Sequence, residues 1–314
     1  MKHVSLLVVS LVLGATGVFA GCVGDSPVAA DGGAPTATAT GTGTTPVPDA
    51  SVKDTSAPDT SVPDTSTPDT SAPDAPVAFD PKAVPGLALW LDPAEGVTDT
   101  AGKVSAWADK SPAGLAVAQA TAANQPAKGN LGGKPVLVFS DSTWLASPAA
   151  TVGNKLDFGV GDLTVVVVCS MEPTTSNVLA GVLYKVPDVA VPPFDGLQVY
   201  GNLAGGGRPG AGLAGEGLIL TASAGSTVAD GKLHVLALRR AGNALTLRLD
   251  GTQVAAMTAT ARSVDSVSPL QVGGRAAITH NFANKLADVL IYRGAVSATD
   301  FASLEGFVRT KNGI

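Results

Sequence analysis

The segment from Lys232 to Met257, KLHVLALRRAGNALTLRLDGTQVAAM in one-letter code, leaves this chain few architectures. Successive side chains of a strand point to opposite faces, so Leu233, Val235 and Ala237 share one face and Leu245, Leu247 and Leu249 share one face, while Arg248 and Asp250 point the other way. The runs break at Ala241-Gly242-Asn243 and at Asp250-Gly251. These residue types take positive φ at little cost and close tight hairpins. The segment predicts a half-buried antiparallel meander of three strands.

The same alternation recurs on both sides of it. Pro85 to Asp92 and Lys103 to Ser111 read as a first and second strand. Further strands are predicted at 115–119, 136–139, 163–171, 178–184, 196–200, 218–222, 270–273 and 286–292. Many short strands punctuated by Gly, Pro, Asn and Asp, with little helix, predict an all-β sandwich or barrel. The four valines at 165–168 place apolar groups on both faces, which suits a central strand covered on both sides. One helix is predicted near the end of the chain, packed against the edge or end of the sandwich. Ser297 has N-cap chemistry with Asp300 three residues on, and Val296 with Phe301 forms a hydrophobic staple. Phe301, Leu304, Phe307 and Val308 make one apolar face, and Asn312-Gly313 stops it.

Composition divides the rest of the chain unevenly. Residues 1–21 have a short basic start and an apolar run from Val4 to Leu13, the build of a secretory signal and too short to span a bilayer. Val18-Phe-Ala-Gly-Cys22 resembles a bacterial lipobox, in which Cys22 becomes the acylated first residue of an exported lipoprotein. That resemblance implies a membrane partner through the N-terminal lipid, and Val23 after the cysteine favours the outer membrane or cell surface. Residues 22–80 then repeat the pentad Asp54-Thr-Ser-Ala-Pro58 four times as far as Pro73. Regular proline and mutually repelling aspartates cannot form a core, so this linker is predicted to be disordered and extended. Val23 to Asp80 holds nine Asp and one Lys, which leaves the domain at 81–314 close to neutral. Such a balance offers no basic stripe for nucleic acid. Two cysteines, one of them Cys22, allow no disulfide framework, and Cys169 closes an apolar strand as a small core residue.

Five segments in order resemble one family: Leu87-Ala-Leu-Trp-Leu-Asp92, Val104 to Ser111, Gly133 to Phe139, the meander with Leu249-Asp-Gly251, and Lys285 to Tyr292 followed by the terminal helix. Together they are similar to the concanavalin A-like/laminin G-like jelly-roll domains of bacterial surface proteins. The resemblance implies two stacked antiparallel sheets and roles from glycan binding to adhesion, without selecting among them. It also draws attention to Asp109, Asp141 and Asp288, the acids that a calcium-binding relative makes one test first, although no Asp-x-Asp cluster supports an ion. No other cofactor is expected. Ser111-Pro-Ala-Gly114-Leu115 departs from the family's Gly/Asn-rich turn.

Candidate ligand contacts are Trp144, which lies outside a regular strand pattern, and Tyr200 with Arg208 beside the glycine-rich stretch 205–215, read as a mobile rim. Trp90 and Trp107 lie in apolar strand patterns and are expected in the core. Glu95, Glu172, Glu216 and Glu305 are not paired with another acid at strand spacing, so the two-carboxylate chemistry of glycoside hydrolysis is not expected. His234 and His280 stand far apart and read as structural. The sequence thus points to a non-catalytic glycan- or protein-binding module on a surface-anchored lipoprotein. Its alternatives are a structural envelope protein without a specific ligand and a carbohydrate-active enzyme of the same fold.

Overall fold

A computed structural model describes residues 78–148, 155–173, 179–187, 196–213, 219–275 and 282–314. The predicted signal segment, Cys22, most of the linker, Glu216 and His280 lie outside the described residues.

Two antiparallel layers face each other. At the centre of the first is β8 (Leu163–Ser170), buried along its whole length. It pairs with β17 (Lys285–Arg293) on one side and β13 (His234–Ala241) on the other. β1 (Leu87–Leu91) extends the layer beyond β17, and β14 (Ala244–Leu249) and β15 (Thr252–Thr258) extend it beyond β13. The predicted meander is therefore β13-β14-β15. Its second turn is a two-residue loop with Asp250 at φ 50° and Gly251 at φ 83°, the mirror-image turn that matches strand twist.

The second layer runs from β2 (Val97–Thr100) through β3 (Lys103–Trp107), β4 (Val117–Ala118), β7 (Leu145–Ala146) and β16 (Gln271–Val272). It continues through β9 (Ala180–Lys185), β10 (Leu197–Asn202), β11 (Gly210–Leu213) and β12 (Ile219–Thr221). The hairpin of β5 (Ala127–Leu131) and β6 (Lys134–Val138) ties the layers together, meeting β3 at Ala127 and β17 at Val138 and Leu137. At the opposite edge, the Ser223 N–H donates to the Val254 carbonyl.

Alternation along β8 separates two cores. Leu163, Val165, Val167 and Cys169 join Trp107, Leu236, Leu247 and Ile291 between the layers. Val166 and Val168 face outward, where they meet Val235, Leu290 and Tyr292. What covers them is α1 (Ala298–Asn312), through Phe301, Leu304 and Val308. The helix thus lies on the outer face of the first layer instead of at an edge. The physical reason is that β8, β13 and β17 are apolar on both faces, and an uncovered outer face would leave them in water. Its caps form as the residues predict: the Ser297 hydroxyl accepts from the Asp300 N–H at 3.1 Å, and Gly313 ends the helix at φ 71°. The chain enters on the same side, with the Phe79 ring 5.8 Å from Phe307 and Phe307 edge-on to Trp90 at 6.1 Å.

β11 corrects the reading of 205–215 as a loose glycine rim. Gly210 to Leu213 form a buried strand, and only glycine fits at 210 because a Cβ would lie 2.3 Å from a Leu203 methyl and 2.7 Å from the Leu220 carbonyl oxygen. The remaining turn is tied down as well. Thr227 Oγ1 donates to the Gly206 carbonyl, and the Val228 N–H donates to that of Gly207, both at 3.0 Å.

Candidate functional site: the outward face of the second layer

In β10, Leu197 and Val199 enter the inter-layer core, so Gln198 and Tyr200 point outward. The register then sets their neighbours. Tyr184 of β9 lies opposite both Gln198 and Gln271 of β16, and Gln271 lies opposite Ala146 of β7, which lies opposite Ala118 of β4. On the other side Gln198 faces Gly212 and Tyr200 faces Gly210. A row of amides and aromatic rings is thus flanked by alanine and glycine, side chains too short to rise above it.

The rings are fixed. Tyr184 and Tyr200 meet edge-to-face with centroids 5.8 Å apart, and the Arg275 guanidinium lies 5.3 Å from the centre of the Tyr184 ring. Arg275 is held in turn by the Pro187 carbonyl at 2.7 Å. The Tyr184 hydroxyl donates to the Leu179 carbonyl at 3.2 Å, and that of Tyr200 donates to the Gln198 side-chain oxygen. Gly181 leaves room for this arrangement, since a Cβ there would sit 1.9 Å from the Tyr184 hydroxyl oxygen. Burial pushes the Tyr200 phenol up to about 12, and burial together with Tyr200 pushes Tyr184 higher despite the opposing charge of Arg275. Both remain neutral donors under physiological conditions. Tyr184, Gln198 and Gln271 are buried, which leaves the half-buried Tyr200 as the ring presented at the surface. What this face can offer a planar sugar or peptide group is stacking on the half-buried Tyr200 ring. Among the described residues this face offers no carboxylate or thiol as a general acid or nucleophile.

Two of the three sequence-predicted contacts belong to this face. Leu145 enters the core, so Trp144 beside it points outward on the same side as Ala146, half-buried. Arg208 lies in the β10–β11 turn two residues before Gly210, where its guanidinium donates to the Ala204 carbonyl at 3.2 Å. Tyr184, Gln198, Gln271 and Arg275 were not singled out. Alternation in Leu197-Gln-Val-Tyr200 already placed Gln198 with Tyr200. Pairing with residues 184 and 271 depends on register that no local pattern carries. Two surface cavities, of about 410 and 400 Å³, lie elsewhere, beside α1, lined by Leu131, Leu233 and Ile314 and by Phe79 and Phe307.

The three acids considered for calcium are dispersed. Asp109 is saturated by the N–H groups of Trp90, Ser111 and Leu115 and by the Ser111 hydroxyl, at 2.6–2.8 Å, which shapes the turn 111–115 around it. Asp141 is exposed on the turn after β6. Asp288 is buried under α1, bound by Lys311 at 2.5 Å, Asn312 at 2.8 Å and the Trp90 indole at 3.4 Å. Asp109 and Asp288 are thus engaged within the fold. Among the described residues no group of three or more His, Cys, Asp or Glu side chains is placed to hold a metal ion.

One carboxylate pair does form. Asp92 and Asp288 both contact the Lys311 ammonium, at 2.7 and 2.5 Å, close enough together to invite comparison with the ~5 Å spacing of a retaining glycosidase pair. The ammonium stands between them and both side chains are buried, so no sugar reaches the bond-cleaving position. Glu95 pairs with Lys110, Glu172 with Lys285 and the buried Glu305 with Arg248.

The Laminin G domain family matches residues 213–296, from the end of β11 to the start of α1. That stretch contains the meander and β17, which define the first layer. The fold is an all-β jelly-roll sandwich, and residues 213–296 of it are similar to the Laminin G domain family. No curated protein matches the chain. Among solved structures, the binding domain of Paraclostridial Mosquitocidal Protein 1 is similar over 70% of this chain and 52% of its own length, with a TM-score of 0.50 and 12% identity. The botulinum neurotoxin serotype G binding domain gives 0.49 and 11% over 71% of this chain and 51% of its own. Domain 4 of an extracellular arabinanase from Geobacillus stearothermophilus, solved with arabinotriose, gives 0.46 and 11% over 73% and 99%. The chain thus spans about half the length of the mosquitocidal binding domain. At these identities the likeness concerns the fold alone.

Proposed function

We propose that this chain is an exported, surface-anchored lipoprotein whose laminin G-like domain is a non-catalytic binding module for glycans or extracellular protein. The observation that carries the reading is the half-buried Tyr200 ring, held edge-on by Tyr184 on a rigid sheet face. A rigid aromatic ring binds at low entropic cost. The use of the fold as a binding domain in the mosquitocidal protein supports the same reading. The described acids favour a non-catalytic role, since each that lies near another is neutralised by lysine, arginine or histidine.

The test is binding of the purified chain, with Cys22 replaced by Ser for solubility, to a panel of polysaccharides and matrix proteins with and without calcium. Tyr200→Ala and Trp144→Ala are each expected to weaken capture about fivefold, the loss of roughly 1 kcal/mol of ring stacking, without changing thermal stability by more than a few degrees. Silence across the panel with retained self-association would favour a structural envelope protein. Reducing-sugar release abolished by changing a single acid would establish an enzyme instead.

The anchor is tested separately. Cys22→Ser is expected to move the protein from the membrane fraction to the soluble one, because acyl chains on that cysteine are the attachment. Retention of the variant until detergent is added would contradict lipidation.

A further inference from the structure

His234, at the start of β13, has a carboxylate on each ring nitrogen. Nδ1 lies 2.7 Å from Asp250 Oδ2 in the β14–β15 turn, and Nε2 lies 2.8 Å from Asp230 Oδ1 in the connection from β12 to β13. Both carboxylates have a second, backbone anchor. Asp250 Oδ1 accepts from the Val235 N–H at 2.8 Å, and Asp230 Oδ1 accepts from the Lys232 N–H at 2.9 Å. A neutral imidazole has one N–H and one lone pair, so it satisfies one of these carboxylates and turns a lone pair toward the other. Only the imidazolium donates to both.

The connection held by Asp230 also holds the edge of the candidate binding face. Val228 donates to the Gly207 carbonyl and Thr227 to that of Gly206, while Val228 and Gly231 exchange backbone bonds with Met171 at the end of β8. Gly207 is packed so closely that a Cβ would meet the Ala229 methyl at 2.3 Å. Residues 205–208 form the turn of the β10–β11 hairpin that carries Gln198 and Tyr200.

We propose that His234 is a pH-operated clamp: its protonated ring joins the meander to the 226–233 connection, and deprotonation releases that connection and with it the glycine turn of the β10–β11 hairpin. The charged groups around the ring all bear on its titration. Asp230 and Asp250 favour the cation. Lys232, 3.8 Å from Asp230, and Arg309 of α1, whose guanidinium donates to the Asp250 carbonyl at 3.5 Å, oppose it in part. Glu172 stands near Gly231 and is neutralised by Lys285, and Cys169, opposite His234 on β8, is a buried thiol that burial pushes up to about 12. The hydrogen bond to Asp250 raises His234 above its ordinary value against the cost of burial, with the Asp230 bond adding to the rise. Because the folded value is raised, the clamp's stabilisation is fully present below pH 6.5 and is lost as pH climbs through the folded value.

The experiment combines imidazole NMR with hydrogen exchange on the whole chain between pH 5 and 9. The His234 resonances are assigned by their loss in His234→Gln. The clamp requires both ring nitrogens to carry protons at pH 6.5 and a midpoint above it. It also requires the Val228 and Leu203 amides, corrected for intrinsic exchange, to open about tenfold more readily above the midpoint, with β8 amides unchanged. In Asp230→Asn, which leaves the Asp250 anchor in place, that step should vanish. A His234 midpoint at or below 6.5, or equal protection of the two turns on either side of it, would overturn the proposal.

Discussion

Arg240→Met is expected to lower the unfolding free energy by about 3–5 kcal/mol, a fall in melting temperature of roughly 10 °C. Arg240 is fully buried on β13, and its guanidinium donates to three backbone carbonyls: Gly159 at 2.9 Å, Gly161 at 2.8 Å and Arg262 at 2.9 Å. Those carbonyls belong to the loop before β8 and the segment after β15, which also meet through Val264 and Gly159 at 3.1 Å. Methionine keeps most of the aliphatic packing but brings no donor, so each of the three carbonyls loses a charge-assisted hydrogen bond in a buried site, and the loss is electrostatic and not a cavity. Burial lowers the guanidinium's affinity for its proton and nearby Asp162 and Asp265 restore part of it, yet an arginine stays charged throughout. Arg240→Lys is expected to recover only part of the loss, because a single ammonium cannot reach three carbonyls as a planar fork does. Equilibrium urea unfolding measures both. A loss below 1 kcal/mol for the methionine variant would mean that water or backbone movement satisfies the freed carbonyls.

The second large effect lies under α1. Lys311→Met is expected to cost about 3 kcal/mol at neutral pH and much less in acid. Lys311 bridges Asp92 and Asp288, and Asp92 is shared with Lys110 at 3.0 Å. Burial raises Asp92, but the bonds from Lys311 and Lys110 outweigh it and hold it below its ordinary value. Asp288 is left above its ordinary value because burial wins over Lys311 and Asn312. The signs then differ. Asp92 contributes stability present above about pH 3.8 and lost as pH falls through its lowered folded value. Asp288 carries a penalty that grows as pH rises from 3.8 through its raised folded value. Removing the ammonium raises Asp288 further, so the variant's deficit should shrink on acidification as that carboxyl takes up a proton. Adding Asp288→Asn to Lys311→Met should return more than half of the lost stability. If the double variant is no more stable than the single one, the ammonium acts by packing and not by neutralising Asp288.

Most of the first layer was legible before any coordinates. Leu245, Leu247 and Leu249 do share the inner face, Val165 to Val168 are covered on both sides, Trp90 and Trp107 are buried, and the Ser297 and Gly313 caps bound α1. Each rests on a period or a residue type read within a few positions. The second layer was less legible. The strands predicted at 115–119 and 270–273 contain β4 and β16, but β7 is only two residues long, and two residues carry no period. β11 was hidden because glycine reads as turn, whereas here it is needed for the close approach of Leu203.

Side-chain alternation is a local property of an extended backbone, so the residues alone told which side of its own strand each of Gln198, Tyr200 and Leu247 occupies, and told that a three-strand meander and a capped helix exist. Which strands lie side by side is a long-range matter. Tyr184 meets Gln271, 87 positions further along the chain, because the inner faces of β9 and β16, Leu183 and Val272, must pack against the same core. The same burial requirement placed α1 over β8 and brought Lys311 between Asp92 and Asp288. Folding buries apolar surface without regard to distance along the chain, and neither the candidate face nor the charge network exists until it has done so.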